Sequence, residues 1–420
     1  MLTGVAIAGL SGHYDIKIEG DRIASLVPSQ AVGGGLVTPL FADVHVHLDK
    51  TFTIQRIAEN GSARVDCLFD AIDLMGTDRK NWSAEDIRTR ASRGIEAAFE
   101  QGVGAMRSHV DWTTPEVPVA WPVLNELREE WKDRIDLQLA ALVHGDLVLD
   151  AGSQIAARVA KDGGVFGAFF YRNADLEAKI EEMFRLAVQH DLNLDFHVDE
   201  GLDVEANGFS LIVSATKRHG MAGRVLCGHA CSLSLRKPDE LQRILDAAAD
   251  AGTALVSLPT TNLYLQDRIG GKSPRLRGVA PLKEARAAGM DVMLGSDNVR
   301  DAFYPYGDYD PLTILRLAAP VCHVEPQDWL DSITTLPARL IGSECVQQPQ
   351  AGGVASFVWH DAADLNDLIS RPQARRVVWR NGVMALPCLK STGEPHEFCR
   401  STAHLRLGRI SRRNRWNPHL

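Results

Sequence analysis

The sequence predicts an α/β chain: a (β/α)8 barrel of the TIM type, with a small β-sandwich domain built from both chain ends. Three observations predict it. Eight short, nearly continuous apolar runs recur between residues 36 and 298, the pattern of strands covered on both faces of a parallel sheet. Helix-like stretches alternate with them across about 260 residues, close to the roughly 250 typical of such a barrel. Residues capable of chemistry gather at the C-terminal ends of the runs, where barrel strands converge on one face. An open doubly wound sheet is the competing architecture, and the placement of those polar ends favours the barrel.

In order, the runs are "VTPLFADVHVH" (37–47), "AMRSHVD" (105–111), "DLQLAALVHGD" (136–146), "VFGAFFY" (165–171), "LNLDFHVDE" (192–200), "RVLCGHA" (224–230), "ALVSLPT" (254–260) and "DVMLGSDN" (291–298). The clearest helix between them is "SAEDIRTRASRGIEAAFEQG": Ser83 is placed to cap it, Ile87, Ala91, Ile95 and Phe99 share a face, and Gly102 stops it. Residues 174–190 and 237–252 read similarly. Outside the barrel, residues 14–29 alternate as strand, turn, strand. Residues 352–361 and 374–386 resemble them, and Asn381-Gly382 is a hairpin turn signal. The expected organisation is therefore 1–38 and 339–387 as the two parts of the β domain, 39–338 as the barrel, and 388–420 as a tail. The tail carries seven Lys/Arg against two Glu without periodicity and reads as solvated or partly disordered, with a basic binding arm as the other option.

Composition narrows the class. Hydrophobic residues at 45% and charged residues at 24% suit a globular protein, and a net charge of -9 gives no electrostatic case for nucleic acid or anionic lipid. No apolar run approaches the roughly 18 residues of a membrane span. The start, "MLTGVAIAGL", lacks a basic n-region and reads as a first strand rather than a signal peptide. Seven scattered cysteines indicate no disulfide framework, so a reduced cytoplasmic setting is the expectation.

The informative stretch is "PLFADVHVHLDKT" (39–51). Strand side chains alternate faces, so His45 and His47 both project into the barrel mouth, close enough to bind one cation. A lone interior histidine is more often a satisfied core residue, but two same-face imidazoles gain little structurally, and a divalent metal accounts for both. His197 closes the fifth run, His229 the sixth and Asp297 the eighth. Two histidines, a third and an aspartate make an N/O shell suited to one Zn2+ or Fe2+, with a position left for water. A structural zinc cluster of Cys227, His229 and Cys231 is the weaker alternative, since its spacing is unusual and a fourth ligand is missing.

"PLFADVHVHLDKT", "RSHVD", "FHVDE", "GHA" and "GSDN", in this order, resemble the amidohydrolase superfamily, specifically its cytosine deaminase-like branch, over nearly all of residues 14–386. The resemblance implies a mononuclear site ligated by His45, His47, His197 and Asp297. Binuclear relatives use a carboxylated lysine at the end of strand four, and "VFGAFFYRN" has none. It also implies that a metal-bound hydroxide attacks a ring carbon, with Asp297 accepting a proton from or aligning that water. Glu200, three residues past His197, takes the proton-shuttle role, and His229 stabilises the oxygen that develops charge. For Glu200 the structural alternative is a helix cap or solvated carboxylate, which Asp199 and Asp203 fit better. His109 is expected to support the metal ligands or to be a bonded core residue. Lys50 is expected to be a solvated charge or a local ion pair.

On the substrate side the pattern departs from cytosine deaminase. His144 stands where that enzyme has a glutamine, Asn298 where it has an aspartate after the metal ligand, and Phe303 where it has a tryptophan; Gln266 matches a glutamine of unassigned role. Asn298 and the "HLDK" opening are similar to N-isopropylammelide amidohydrolase. The expected function is hydrolytic deamination of a small aminated N-heterocycle, cytosine-like pyrimidines first, with aminotriazines and creatinine-like rings next. The alternatives are hydrolysis of a cyclic amide or an N-alkylated aminotriazine on the same metal, or a non-catalytic binding protein of this fold. The last would have no use for the intact ligand set. Oligomers are common in this fold family, but nothing in the sequence specifies an interface.

Overall fold

The structure, a computed structural model, describes residues 1–59 and 65–385. Four strands lead into the barrel: β1 (Leu2–Ile7), β2 (His13–Glu19), β3 (Arg22–Pro28) and β4 (Leu36–Thr38). The barrel follows as β5 (Phe41–Val46), β6 (Val103–Trp112), β7 (Asp136–His144), β8 (Val165–Phe170), β9 (Leu194–Val198), β10 (Val225–His229), β11 (Ala254–Ser257) and β12 (Val292–Leu294). The chain closes with β13 (Phe357–His360), β14 (Arg376–Arg380) and β15 (Val383–Ala385). Each of the eight apolar runs supplies one barrel strand. The tail, with Cys388 and Cys399, lies outside the described residues.

β5 to β12 form one parallel sheet in chain order, nearly closed. Its edges meet at a single parallel bridge between Val46 and Asp297, where the Asp297 N–H donates to the His45 carbonyl at 2.8 Å. Helices such as Ala84–Gln101 and Leu176–His190 cover the outside. The first is stopped as its sequence dictates: Ser83 Oγ accepts from the Asp86 N–H at 3.1 Å, and Gly102 takes the left-handed φ of 95° that ends a helix cheaply only at glycine.

The strands from the two chain ends make a separate seven-stranded mixed sheet in the order β15-β14-β13-β4-β1-β2-β3, in which β1 and β4 alone run parallel. Val5, Ile7, Ile16, Ile23, Val37 and Phe357 form its core. Asn381 (φ 49°) and Gly382 (φ 76°) turn β14 into β15 with the paired positive φ values of a two-residue hairpin. β4 runs almost directly into β5, so this sheet anchors the strand that carries the two histidines.

A helix that shapes the barrel mouth is not among those read from the sequence. Between β5 and the helix Ala84–Gln101 the chain forms a helix, Leu68–Asp78, whose Leu68, Ile72 and Met75 sit at i, i+4 and i+7. That stripe faces a cavity at the barrel mouth rather than the barrel wall.

Candidate active site

The cavity occupies the C-terminal end of the barrel, has a volume of about 120 Å3, and is bordered by His47, His197, Glu200, His229 and Asp297. At its base the Nε2 atoms of His45 and His197 are 3.0 Å apart, and those of His197 and His47 3.2 Å. Asp297 Oδ1 stands 3.2 Å from His47 Nε2 and 3.6 Å from His45 Nε2. All four side chains are buried.

Protons alone do not satisfy this cluster. His197 Nε2 faces two imidazole nitrogens at once, and Asp297, which the Thr261 hydroxyl also reaches, turns Oδ1 toward both His45 and His47. Burial, chiefly, holds the imidazoles of His45, His47 and His197 well below their ordinary value, so they are the neutral rings a cation needs. A tetrahedral shell with bonds of about 2.0–2.1 Å sets neighbouring ligand atoms about 3.3 Å apart, which the observed separations fit. Two overlapping sets could hold an ion, His45, His197, His229 and Asp297, and His45, His47, His109 and His197; the four expected ligands are divided between them, His47 in one and Asp297 in the other, and these two stand 3.2 Å apart. Cys227 and Cys231 are in neither set; both are buried free thiols, and the structural-zinc alternative has no support.

Backbone geometry aims these groups. His229 (φ 67°) and Asp297 (φ 60°) both hold left-handed conformations that side chains seldom adopt, a strain that has to be carried by the surrounding fold. Gly228 is required beside them, because a Cβ there would lie 2.9 Å from His45 Cε1.

Glu200 is buried, and its Oε1 lies 3.5 Å from His229 Nδ1. Burial, then the charge of Asp297, raises its carboxyl well above the ordinary glutamate value. His229 is pushed down to about 4 by burial and is neutral near pH 7; Asn262 Nδ2 lies 3.0 Å from its Nδ1. Asp199, by contrast, accepts from the Gly208 and Phe209 N–H groups at the start of the helix Gly208–Arg218, the capping role expected of it.

The four substrate-side residues separate. Asn298 and Phe303 line the cavity. His144 sits at its edge, half exposed, with Nδ1 accepting from the Asp146 N–H at 3.4 Å. Gln266 is off the wall: its Nε2 donates to the Glu200 carbonyl at 2.7 Å, so it sits behind Glu200.

Lys50 corrects the expectation of a solvated charge. It is 2% exposed, lines the cavity, and places Nζ 2.6 Å from Asp111 Oδ1 and 3.2 Å from His47 Nδ1. Burial opposes its charge, but Asp111 and Asp49 outweigh it and keep the ammonium above its ordinary range. Arg79 pairs with the other oxygen of Asp111 at 2.8 Å. A signal for Asp111 was present in "RSHVD", since it shares strand parity with His109; Arg79 had none. His109 is buried beneath the cluster, its ring centroid 4.1 Å from that of His45. Asp195 Oδ2 lies 3.1 Å from His109 Nε2, and Arg107 donates to the same oxygen at 2.7 Å.

Comparison with known proteins identifies the family. The amidohydrolase family profile matches residues 136–385. The chain is 38% identical over 353 residues to a pterin deaminase from Rhizobium rhizogenes, 83% of this chain and 80% of that protein. It is 26% identical over 317 residues to N-isopropylammelide isopropyl amidohydrolase of a Pseudomonas species, 71% of this chain and 73% of that one. The crystal structure of 5-methylcytosine deaminase from Klebsiella pneumoniae shares the fold, with a TM-score of 0.81 at 24% identity, covering 94% of this chain and 98% of that one. The chain thus belongs to the amidohydrolase family, hydrolytic enzymes that act on C–N bonds.

Proposed function

We propose that the protein is a metal-dependent aminohydrolase that releases an amine from an aminated six-membered N-heterocycle. The observation that carries this reading is the convergence of three imidazole nitrogens and the Asp297 carboxylate, each 3.0–3.6 Å from two of the others, with Glu200 and His229 on the same cavity. His45, His47, His197 and Asp297 would hold one divalent ion, Zn2+ or Fe2+ by the chemistry of the set. Such an ion polarises water and lowers its pKa toward neutrality.

The chain's own residues do the rest. Glu200, whose carboxyl burial raises well above the usual glutamate range, can give its proton to a ring nitrogen, take one back from the attacking water, and pass that one to the departing amine. Neutral His229 lies beside it, placed to donate to or orient the oxygen added at the attacked carbon. Gln266 fixes the Glu200 backbone. The apolar stripe of Leu68, Ile72 and Met75 and the ring of Phe303 form a wall suited to a flat ring.

Two ring classes lead. Pterin-type rings gain support from the 38% identical relative, and cytosine-type pyrimidines from the sequence motifs. The test is amine release by zinc-loaded protein from pterin, isocytosine, cytosine, 5-methylcytosine and N-isopropylammelide, with Glu200→Gln and metal-stripped samples as controls. Ammonia from one ring class, absent in both controls, is the expected outcome. Isopropylamine release from N-isopropylammelide alone would replace deamination with N-dealkylation, the reading that Asn298 and "HLDK" would then carry. No amine from any compound, with metal bound, would sink the proposal.

A further inference from the structure

The loop that leaves β12 contains a buried pair that the proposed chemistry does not use. Asn298 lines the cavity at 4% exposure, and behind it Asp301 is fully buried. Asp301 Oδ2 accepts from Asn298 Nδ2 at 2.7 Å. Its other oxygen, Oδ1, accepts from the N–H groups of Phe303 at 2.9 Å and Tyr304 at 3.1 Å. The two oxygens thus divide their work: Oδ1 shapes the turn, and Oδ2 holds the amide.

A side-chain amide can turn over by 180° wherever its neighbours both donate and accept. Burial raises the Asp301 carboxyl to about 7, so above that pH it is a carboxylate that only accepts and must see the NH2 group; the flipped amide would then set two acceptors about 2.7 Å apart with no proton between them. Asn298 Oδ1 is thereby turned away from Asp301, and no donor to it is found among the described residues.

We propose that Asp301 is a positioning residue for substrate recognition: by fixing the Asn298 amide it leaves Oδ1 as a set acceptor on the cavity wall, which selects heterocycles presenting an N–H at that edge. The inference rests on the aminohydrolase reading and narrows it to lactam or amine edges. A ring lone pair at the same position would face Oδ1 with both groups unpaired, and such buried mismatches discriminate strongly. Asp301→Asn keeps an acceptor for the turn but replaces the second with a donor. The Asn298 amide then turns over and shows its NH2 to the cavity, reversing the polarity of that wall.

The test has two arms. The first measures Kd by calorimetry in a zinc-loaded Glu200→Gln background for two matched pairs: pterin against 2-amino-4-methoxypteridine, and isocytosine against 2-amino-4-methoxypyrimidine. In each pair the ether turns a ring N–H into a lone pair. Asp301→Asn is expected to lower the N–H preference at least tenfold. Equal weakening of both partners, with the ratio kept, would reduce Asp301 to a loop-shaping role and overturn the proposal.

The second arm needs no ligand. Asn298→Asp sets two carboxylates together and is expected to lower Tm by roughly 2–4 °C. Adding Asp301→Asn should restore it, because the pair is then swapped. Additive losses in this cycle would also overturn the proposal. Restored Tm with no binding of any of the four compounds would keep the amide lock, discard the N–H selection, and count against the aminohydrolase reading itself.

Discussion

Two walls of one cavity are built from different material. His45, His47, His197 and His229 stand on or just past the ends of β5, β9 and β10, where parallel ladders fix backbone register residue by residue. Asn298, Phe303 and the stripe Leu68, Ile72 and Met75 stand on connecting segments held by side-chain hydrogen bonds and packing. The difference teaches where tolerance lies. A reacting constellation needs placement within a fraction of an ångström and is carried by the rigid part, whereas ring selection can be retuned on segments whose change leaves the sheet intact.

The comparison breaks if the strand-borne wall tolerates change. His197→Ala is expected to lose the bound ion and amine release together, below detection, read by metal analysis after gel filtration and by ammonia assay. A variant that keeps one ion per chain and full turnover would show that the cluster is not the metal's seat. Glu200→Gln should keep the metal and lose about 10² to 10⁴ in kcat.

The same substitution carries a smaller effect of defined sign. The Glu200 carboxyl is raised in the folded chain, so its stabilising contribution is full below the ordinary glutamate value and is lost as pH rises through the raised one. Metal-free Glu200→Gln should therefore melt higher than metal-free wild type at pH 8 and lose that advantage near pH 4. The smallest effect belongs to the loop-borne wall. Phe303→Leu is expected to raise KM about three- to tenfold with kcat and metal content little changed, since it trims one face of the ring seat. A collapse of kcat instead would mean that the loop takes part in the chemistry.

What could be read in the sequence follows the same division. The eight strands and the helix Ala84–Gln101 were legible because apolar runs and caps are local signals. His45 and His47 were legible because strand parity turns i, i+2 spacing into a shared face. Glu200 was reachable from its offset to His197. Lys50 was not, because its burial depends on Asp111, 61 positions away in the chain. The helix Leu68–Asp78 was missed because its apolar stripe is short and faces a cavity. Gln266 was placed by likeness alone, and only the packing of the segment Pro259–Leu265 puts its amide behind Glu200.

The seam of the barrel has one more consequence. Asp43 and Ser296, 253 positions apart, are joined there by a 3.1 Å hydrogen bond, and His45 and Asp297 sit directly beside them. Contacts of such separation form late, after the intervening loop entropy has been overcome. An ion seated between His45 and Asp297 therefore has no complete seat on a nascent or half-assembled chain. If the ion sits there as proposed, metal uptake would be a certificate of maturation, counting the molecules whose first and last barrel strands have met.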